Sequence, residues 1–301
     1  MAGLAVRAID PDALVGARPT VQSALELATA ALEAAGVDQA CVDAEWLLAG
    51  VLGVSRTALG VQARRALEPP HDTRYATALR RRTAREPLQH IVGSQAFRHV
   101  TVRVSADALV PRPETELLAG WALELLPAPP RRPVVIDLGT GSGCIACSLA
   151  SERPDAEVIA LDASPGAVAL ARDNVVTLGL ATRVHVGLSD MFAALGAIQV
   201  DVIVSNPPYL PTDLIATLAP EVSRHDPRLA LDGGPDGLDV IRRLLGEAPA
   251  RLAAGGALVL ETGGGEQVRA VVALMGAHGF VGVQTRADLA GVERFVAGRH
   301  A

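Results

Sequence analysis

Between Pro133 and Thr262 the chain alternates short β-branched runs with helical stretches, and no other feature limits its fold so strongly. "PVVIDLG", "AEVIALD", "TRVHVGLSD", "VDVIVSN" and "GGALVLET" read as strands, with helices such as "SPGAVALARDNVVTLG" and "GLDVIRRLLGEAPARL" between most of them. Apolar strands of this kind need cover on both faces, and each crossover between parallel strands needs a helix-sized connection. The pattern predicts an α/β domain with a mostly parallel sheet, whose ligands bind at the carboxyl ends of the strands. The last two runs, "FVGVQTR" and "VERFVAG", are joined by a loop too short for a helical crossover and are expected to pair antiparallel at one edge.

The chain ahead of this region reads differently. "TVQSALELATAALEAAG" has a capping Thr20, apolar residues at helical spacing and a terminating Gly36. "VDAEWLLAGVLG" and "DTRYATALRRRTAREP" read as further helices, the second ended by Pro87. Residues 1–86 are therefore expected to form a helical bundle. From Leu88 to Val104 short apolar stretches around Gly93 suggest a β-hairpin or an extended linker, and Pro111 and Pro113 hold Arg112 extended. The expected organisation is a helical domain over 1–86, a hairpin linker over 87–116 and the α/β domain over 117–301.

At 301 residues and 50% hydrophobic, the chain can bury more than one core. No apolar run approaches the ~18 to 20 residues of a membrane span, and the apolar start is broken by Asp10 and Asp12 without a cleavage-site pattern. A soluble cytoplasmic protein without a membrane partner is expected. All 27 basic residues are arginine, which removes Schiff-base chemistry, lysine general bases and the Walker phosphate lysine together. A formal net charge of −6 gives no general attraction to nucleic acid. Arg80, Arg81, Arg82 and Arg85 form the densest basic cluster, read either as a solvated helix face or as a docking edge. Cys144 and Cys147 form a C-x-x-C, but they follow a glycine loop in an apolar helix and no second Cys/His pair has zinc spacing, so they read as core and no metal site is expected.

The chemistry-bearing residues gather at the strand ends. In "VVIDLGTGSGCIACSLA" a glycine-rich turn, Gly139-Thr140-Gly141-Ser142-Gly143, lies between a strand and a helix, where backbone N–H groups can approach a ligand. Asp162 ends the next strand about 20 residues later, where a ribose diol would be held. The two together predict a nucleoside-containing ligand. The spacing is shorter than a dinucleotide fingerprint, and with Asp137 just ahead it resembles the S-adenosylmethionine loop of class I methyltransferases. That resemblance implies that Asp137 faces the amino-acid part of the cofactor directly or through water. Asp190 in "LSDMF" would then lie near the adenine amino group, with Met191 covering the adenine face.

The strand "DVIVSN" ends in Asn206-Pro207-Pro208-Tyr209. Two prolines can simply terminate a strand, and Pro208 to Pro211 also fits a PxxP ligand. Beside a methyl donor the tetrapeptide has a third reading. An amide nitrogen is a poor nucleophile and must be held in line with the methyl group with its N–H bonds satisfied. The Asn206 side-chain oxygen can accept one hydrogen, the Pro207 carbonyl the other, and Tyr209 can stack on the planar group.

"DAEWLL", "REPLQHIVG", "LVPRPETELL", "DLGTGSGCIACSLA", "SNPPYLP" and "LALDGGPDGLDVIRRLL", in that order from about Thr20 to Val296, resemble the bacterial protein-(glutamine-N5) methyltransferases of the HemK/PrmC family, which modify peptide chain release factors. The resemblance implies a class I S-adenosylmethionine-dependent fold, Rossmann-like with seven mostly parallel strands, a helical N-terminal domain and a hairpin linker. It implies a release factor as partner and the glutamine of its Gly-Gly-Gln loop as substrate, held by Asn206 to Tyr209. Met191 stands where the family often has an aromatic, and "LETGGGEQ" is unusually rich in glycine. The rival readings are a glutamine methyltransferase for a ribosomal protein, an adenine-N6 methyltransferase for nucleic acid, which would need a basic groove and stacking aromatics, and a non-catalytic cofactor-binding scaffold.

Overall fold

The computed structural model describes residues 10–301; the expectation drawn from the apolar start falls largely outside that span. The chain forms two compact units, one running up to Gly93 together with Pro220–His225, the other Ser94–Ala219 with Asp226–Ala301.

The first unit is helical: α1 (Val21–Ala34), α2 (Ala40–Leu52), α3 (Arg56–Val61), α4 (His71–Thr83) and α5 (Leu88–Val92). Thr20 caps α1, its hydroxyl accepting from the Ser23 N–H at 3.2 Å. Ala24, Ala28, Ala31 and Leu32, at helical spacing, face a core shared with Leu47, Leu48 and Leu79. Tyr75 is fully buried in that core, and its hydroxyl donates to the Ala44 carbonyl at 3.0 Å, which satisfies the phenol there. Leu88–Val92 corrects the expectation of a hairpin or extended linker beginning at Leu88: Pro87 opens a helical turn, Gly93 ends it in the left-handed region, and Leu88, Ile91 and Val92 pack on the helical core.

The arginine cluster divides: Arg80 and Arg81 are exposed, as a solvated face predicts, while Arg82 and Arg85 turn onto carboxylates of the same unit. Arg82 is buried, donating to Asp43 at 2.7 Å and Glu221 at 2.8 Å, while Arg85 forks onto both Glu221 oxygens at 2.6 and 2.8 Å. Arg81 pairs with Glu86, and Arg80 with Asp12. Burial raises the Glu221 pKa, but the Arg85 and Arg82 hydrogen bonds outweigh it and bring the carboxyl down to about 2. Each guanidinium has an internal carboxylate, which the spacing of the arginines alone could not show.

The second unit opens with a hairpin, β1 (Ser94–Phe97) and β2 (Val100–Arg103), in register Phe97 to Val100. Phe97, Val100 and Val102 are buried in a core to which the following helix, α6 (Pro113–Leu125), also contributes; the sequence reading left that helix out. Pro113 at its first turn and Glu114 and Glu116 beside the positive end of the dipole are ordinary start signals. There follow β3 (Val134–Leu138), α7 (Cys144–Glu152), β4 (Glu157–Asp162), α8 (Pro165–Thr177), β5 (Val184–Leu188) and β6 (Val200–Ser205). After α9 (Pro220–Ser223), which belongs to the first unit, come α10 (Asp239–Glu247), β7 (Leu252–Glu261), α11 (Glu266–Ala277), β8 (Phe280–Ala287) and β9 (Glu293–His300).

The seven strands are ordered β5-β4-β3-β6-β7-β9-β8. The first five are parallel; β9 is antiparallel to both β7 and β8, as the short final loop requires. Val135 and Val204 belong to the core on one face, Ile136 and Ile203 to that on the other. The predicted long helix after Gly237 ends at Glu247 and continues as a 3-10 turn, Ala248–Arg251, because Pro249 has no N–H for the helical ladder. Cys144 and Cys147 are buried and unpaired; burial pushes both thiols up, Cys147 to about 12, which suits packing and not redox work. No helix among the described residues is long and apolar enough to cross a membrane.

Candidate active site

The strand order reverses at β3, whose neighbours β4 and β6 leave in opposite directions from it, and this is where an open α/β sheet forms a crevice. A cavity lies there, bounded by the glycine loop after β3, the end of β4, the loop after β5 and the tetrapeptide after β6.

The loop geometry follows from its glycines. Gly139, Gly141 and Gly143 all have φ between 56° and 79°, and a Cβ on Gly143 would sit 3.2 Å from that of Ala171 on α8. The N–H groups of Gly139 and Thr140 donate to the Leu161 carbonyl at 2.8 and 2.9 Å, and that of Gly141 to Asp162 at 2.8 Å. For Gly139, Thr140 and Gly141 the expectation that the N–H groups face a ligand is thereby corrected: they lash the loop to β4, and Gly139 to Ser142 line the cavity. Asp162 also accepts from the Ser164 N–H at 2.8 Å, so its carboxylate is fixed at the cavity wall from both sides.

Gly139, Thr140, Gly141, Ser142, Asp162, Asp190, Met191, Asn206, Pro207 and Pro208 all line this cavity. Asp137, Gly143 and Tyr209 do not line it. Asp137 is wholly buried beneath the loop, accepting from the Thr140 hydroxyl at 2.6 Å and the Ala146 N–H at 3.1 Å, while its Oδ1 has no hydrogen-bond partner. Burial raises its pKa to about 7 against those two hydrogen bonds, with the Asp162 charge adding to the rise. Asp190 is exposed at the rim, where Arg243 of α10 donates to both its oxygens at 3.0 Å. Met191 has φ 47° and packs its side chain into the core beside Leu161 and Leu244.

The tetrapeptide is held from three directions. The Leu210 N–H donates to Leu231 and the Gly233 N–H to Leu210, which pins "LALDGGPDG" against it. Gln267 of α11 donates to the Tyr209 carbonyl at 2.9 Å and the Gly237 carbonyl at 3.2 Å, and its oxygen accepts from Gly263, which gives the glycine-rich "LETGGGEQ" stretch its order. Gly237, at φ 75°, approaches so closely that a Cβ would lie 2.2 Å from the Tyr209 oxygen. The Asn206 amide nitrogen donates to the Thr115 hydroxyl at 3.1 Å, Thr115 donates to Glu261 Oε2 at 2.8 Å, and Tyr209 donates to Glu261 Oε1 at 3.2 Å. Tyr209 is thus tied down by its hydroxyl to Glu261 and is not among the residues that line the cavity. Burial raises Glu261 to about 7, opposed by its Thr115 and Tyr209 hydrogen bonds.

Thr115, Arg243, Glu261 and Gln267 were not singled out from the sequence. Thr115 and Glu261 sit within the quoted "PRPETE" and "LVLET", but each reads there as an ordinary cap or strand-end residue.

The chain matches the family model for the PrmC N-terminal domain over residues 23–93 and that for the methyltransferase small domain over residues 115–218. It is 46% identical over 276 residues to a release factor glutamine methyltransferase of Cereibacter sphaeroides, covering 92% of this chain and 97% of that protein. It is 45% identical over 277 residues to a protein of the same name from Deinococcus radiodurans, covering 92% and 97%. Among solved structures, a methyltransferase from Pyrococcus furiosus has the same fold, with a TM-score of 0.51 at 18% identity over 66% of this chain and 88% of that one.

Proposed function

Because the chain belongs to the family of release factor glutamine methyltransferases, we propose that it methylates the side-chain amide nitrogen (N5) of the glutamine in the Gly-Gly-Gln loop of a peptide chain release factor. S-adenosylmethionine, when bound, supplies the methyl group. The observation that carries the reading is the meeting, in one cavity at the topological switch point, of a loop and acid suited to a nucleoside with an amide acceptor beside two prolines. The residues suit that cofactor. Asp162 offers a fixed carboxylate to a ribose diol, and Asp190 an acceptor at the rim, while Met191, Val240 and Leu244 give an apolar wall for a base. The orphaned Oδ1 of Asp137 under the loop suits a cationic amine reached through a water.

At the transfer end the chain has to orient a planar amide and shed water. Asn206 uses its nitrogen on Thr115, leaving its oxygen as an acceptor for one amide hydrogen of the substrate. The Pro207 carbonyl, rigid between two rings, takes the other. The substrate nitrogen would gain the methyl carbon as the donor's sulfur–carbon bond breaks and would give up one proton to water, and holding both hydrogens aligned reduces the entropy lost on reaching that geometry. The helical unit would select the protein substrate, since one glutamine side chain offers too little surface for specificity. A substrate belonging to translation places the work in the cytoplasm.

The test is to incubate the protein with methyl-labelled S-adenosylmethionine and unmodified release factor, then map the label. Label on the Gly-Gly-Gln glutamine, lost when that glutamine is replaced, is the expected result. Label in a ribosomal protein or in nucleic acid would transfer the chain to one of the rival readings.

A further inference from the structure

We infer that Thr115, in the cavity wall, and Glu261 behind it form a relay that sets which end of the Asn206 amide faces the reacting group, making them positioning residues for methyl transfer. The inference rests on the reading of the site as an amide methyltransferase and adds to it two residues from elements remote in sequence, α6 and β7.

The argument is one of donor and acceptor counts. An asparagine amide presents an oxygen on one side and an NH₂ on the other, and the two ends are nearly identical in shape. Only an acceptor-oriented Asn206 can take a hydrogen from a substrate amide; the flipped form would point its own donors at donors. Something must therefore break the symmetry. Thr115 alone cannot, because a hydroxyl both donates and accepts. An ionised carboxylate only accepts, so Glu261 at 2.8 Å claims the single Thr115 hydrogen and leaves that oxygen nothing but lone pairs. Lone pairs at 3.1 Å then select the NH₂ end of Asn206, and its oxygen is directed away from Thr115. Tyr209 donates its hydroxyl to the other Glu261 oxygen at 3.2 Å, so the same carboxylate holds both ends of the tetrapeptide. Thr115 and Glu261 are 3% and 1% exposed, so water does not compete for these bonds.

The relay depends on the charge of Glu261. Once protonated, the carboxyl can donate to Thr115, whose own hydrogen is then free to turn towards Asn206 and favour the flipped amide. The groups that act on Glu261 lie on every side of it: Thr115 and Glu114 on α6, Tyr209 after β6 and Arg294 on β9, with Arg112 acting on Tyr209. Burial dominates them and brings the carboxyl to about 7, within the range where the enzyme would be assayed. Activity should therefore fall as pH drops through about 7.

The experiment uses the whole chain with unmodified release factor and methyl-labelled S-adenosylmethionine. Thr115→Val keeps the shape and removes the hydroxyl; Thr115→Ser restores it; Glu261→Gln removes the titration. Thr115→Val should lower kcat by roughly tenfold or more, with the cofactor Kd, measured by calorimetry, within about twofold of the parent. Thr115→Ser should recover most of that loss. The acid limb of the kcat profile should disappear in Glu261→Gln. The inference is overturned if Thr115→Val keeps full kcat, if Thr115→Ser is as slow as Thr115→Val, if the loss lies in cofactor binding, or if the acid limb survives in Glu261→Gln. Failure of the parent protein to label release factor would instead overturn the functional reading itself.

Discussion

Asp162 and Asn206 both line the cavity, and the different roles proposed for them can be separated by single substitutions. Asp162 accepts from Gly141 and Ser164 and still presents its carboxylate to the cavity. Asp162→Ala should weaken S-adenosylhomocysteine binding by about tenfold or more, since a hydrogen bond to a charged group contributes roughly 1.5–3 kcal/mol. Asp162→Asn, which keeps an acceptor for the loop, should lose less; calorimetry reads both, and unchanged affinity in the alanine variant would remove Asp162 from the site. Asn206→Ala should leave cofactor affinity nearly intact and reduce kcat by about 10² or more, because the acceptor aligned with the reacting amide is gone. A kcat close to the parent's would return the prolines to the role of strand terminators. The sequence pointed to both residues because each ends a strand at a position where side-chain chemistry has few alternatives. It did not point to Thr115 or Glu261, whose partners lie 91 and 52 positions away in the chain.

At the scale of elements, the site depends on how tightly loops are laid against strand ends. The segment around Gly237 is pressed onto the tetrapeptide, with Gln267 bridging the two. Gly237→Ala must place a methyl 2.2 Å from the Tyr209 oxygen and at φ 75°, so either the tetrapeptide or the segment has to move. The expected outcome is a fall of several degrees in thermal midpoint and a larger fall in kcat than in cofactor affinity; an unaltered kcat would show that the tetrapeptide does not need this support. The strands and most helices were legible because their apolar period and caps are local signals. The short helix Leu88–Val92 and the helix Pro113–Leu125 were not, since five residues are too few to show a period and the second follows two prolines that read as loop.

For the whole molecule, buried and paired carboxylates set opposite pH responses. Asp137 and Glu261 have pKa values raised to about 7 from 3.8 and 4.5, so the folded state binds more protons than the unfolded one in that interval. Their contribution to stability is fully present below the unfolded values and is lost as pH rises through about 7. Glu221, lowered to about 2 by burial outweighed by Arg85 and Arg82, contributes stability above 4.5 that is lost as pH falls through about 2. The thermal midpoint should therefore be higher near pH 5 than at pH 8, and Glu261→Gln should flatten the decline on the alkaline side. A midpoint that rises steadily from pH 5 to 8 would contradict the burial of these two acids. Glu261 should thus favour folding in its protonated form and transfer in its ionised form.

The alternation of strand and helix, the glycine loop with its two acids and the Asn-Pro-Pro-Tyr ending are local or nearly periodic, and from them the sequence by itself determined the α/β class, the strand-end location of the site and the order of its motifs. Tertiary structure alone decided what each group is bonded to. It turned Arg82 and Arg85 onto Asp43 and Glu221, buried Asp137 beneath the glycine loop, tied the Tyr209 hydroxyl to Glu261, and brought Thr115 and Glu261 to Asn206. The physical reason is that burial and hydrogen-bond partnership are properties of pairs joined across the fold, whereas period, caps and turn residues belong to neighbours along the chain.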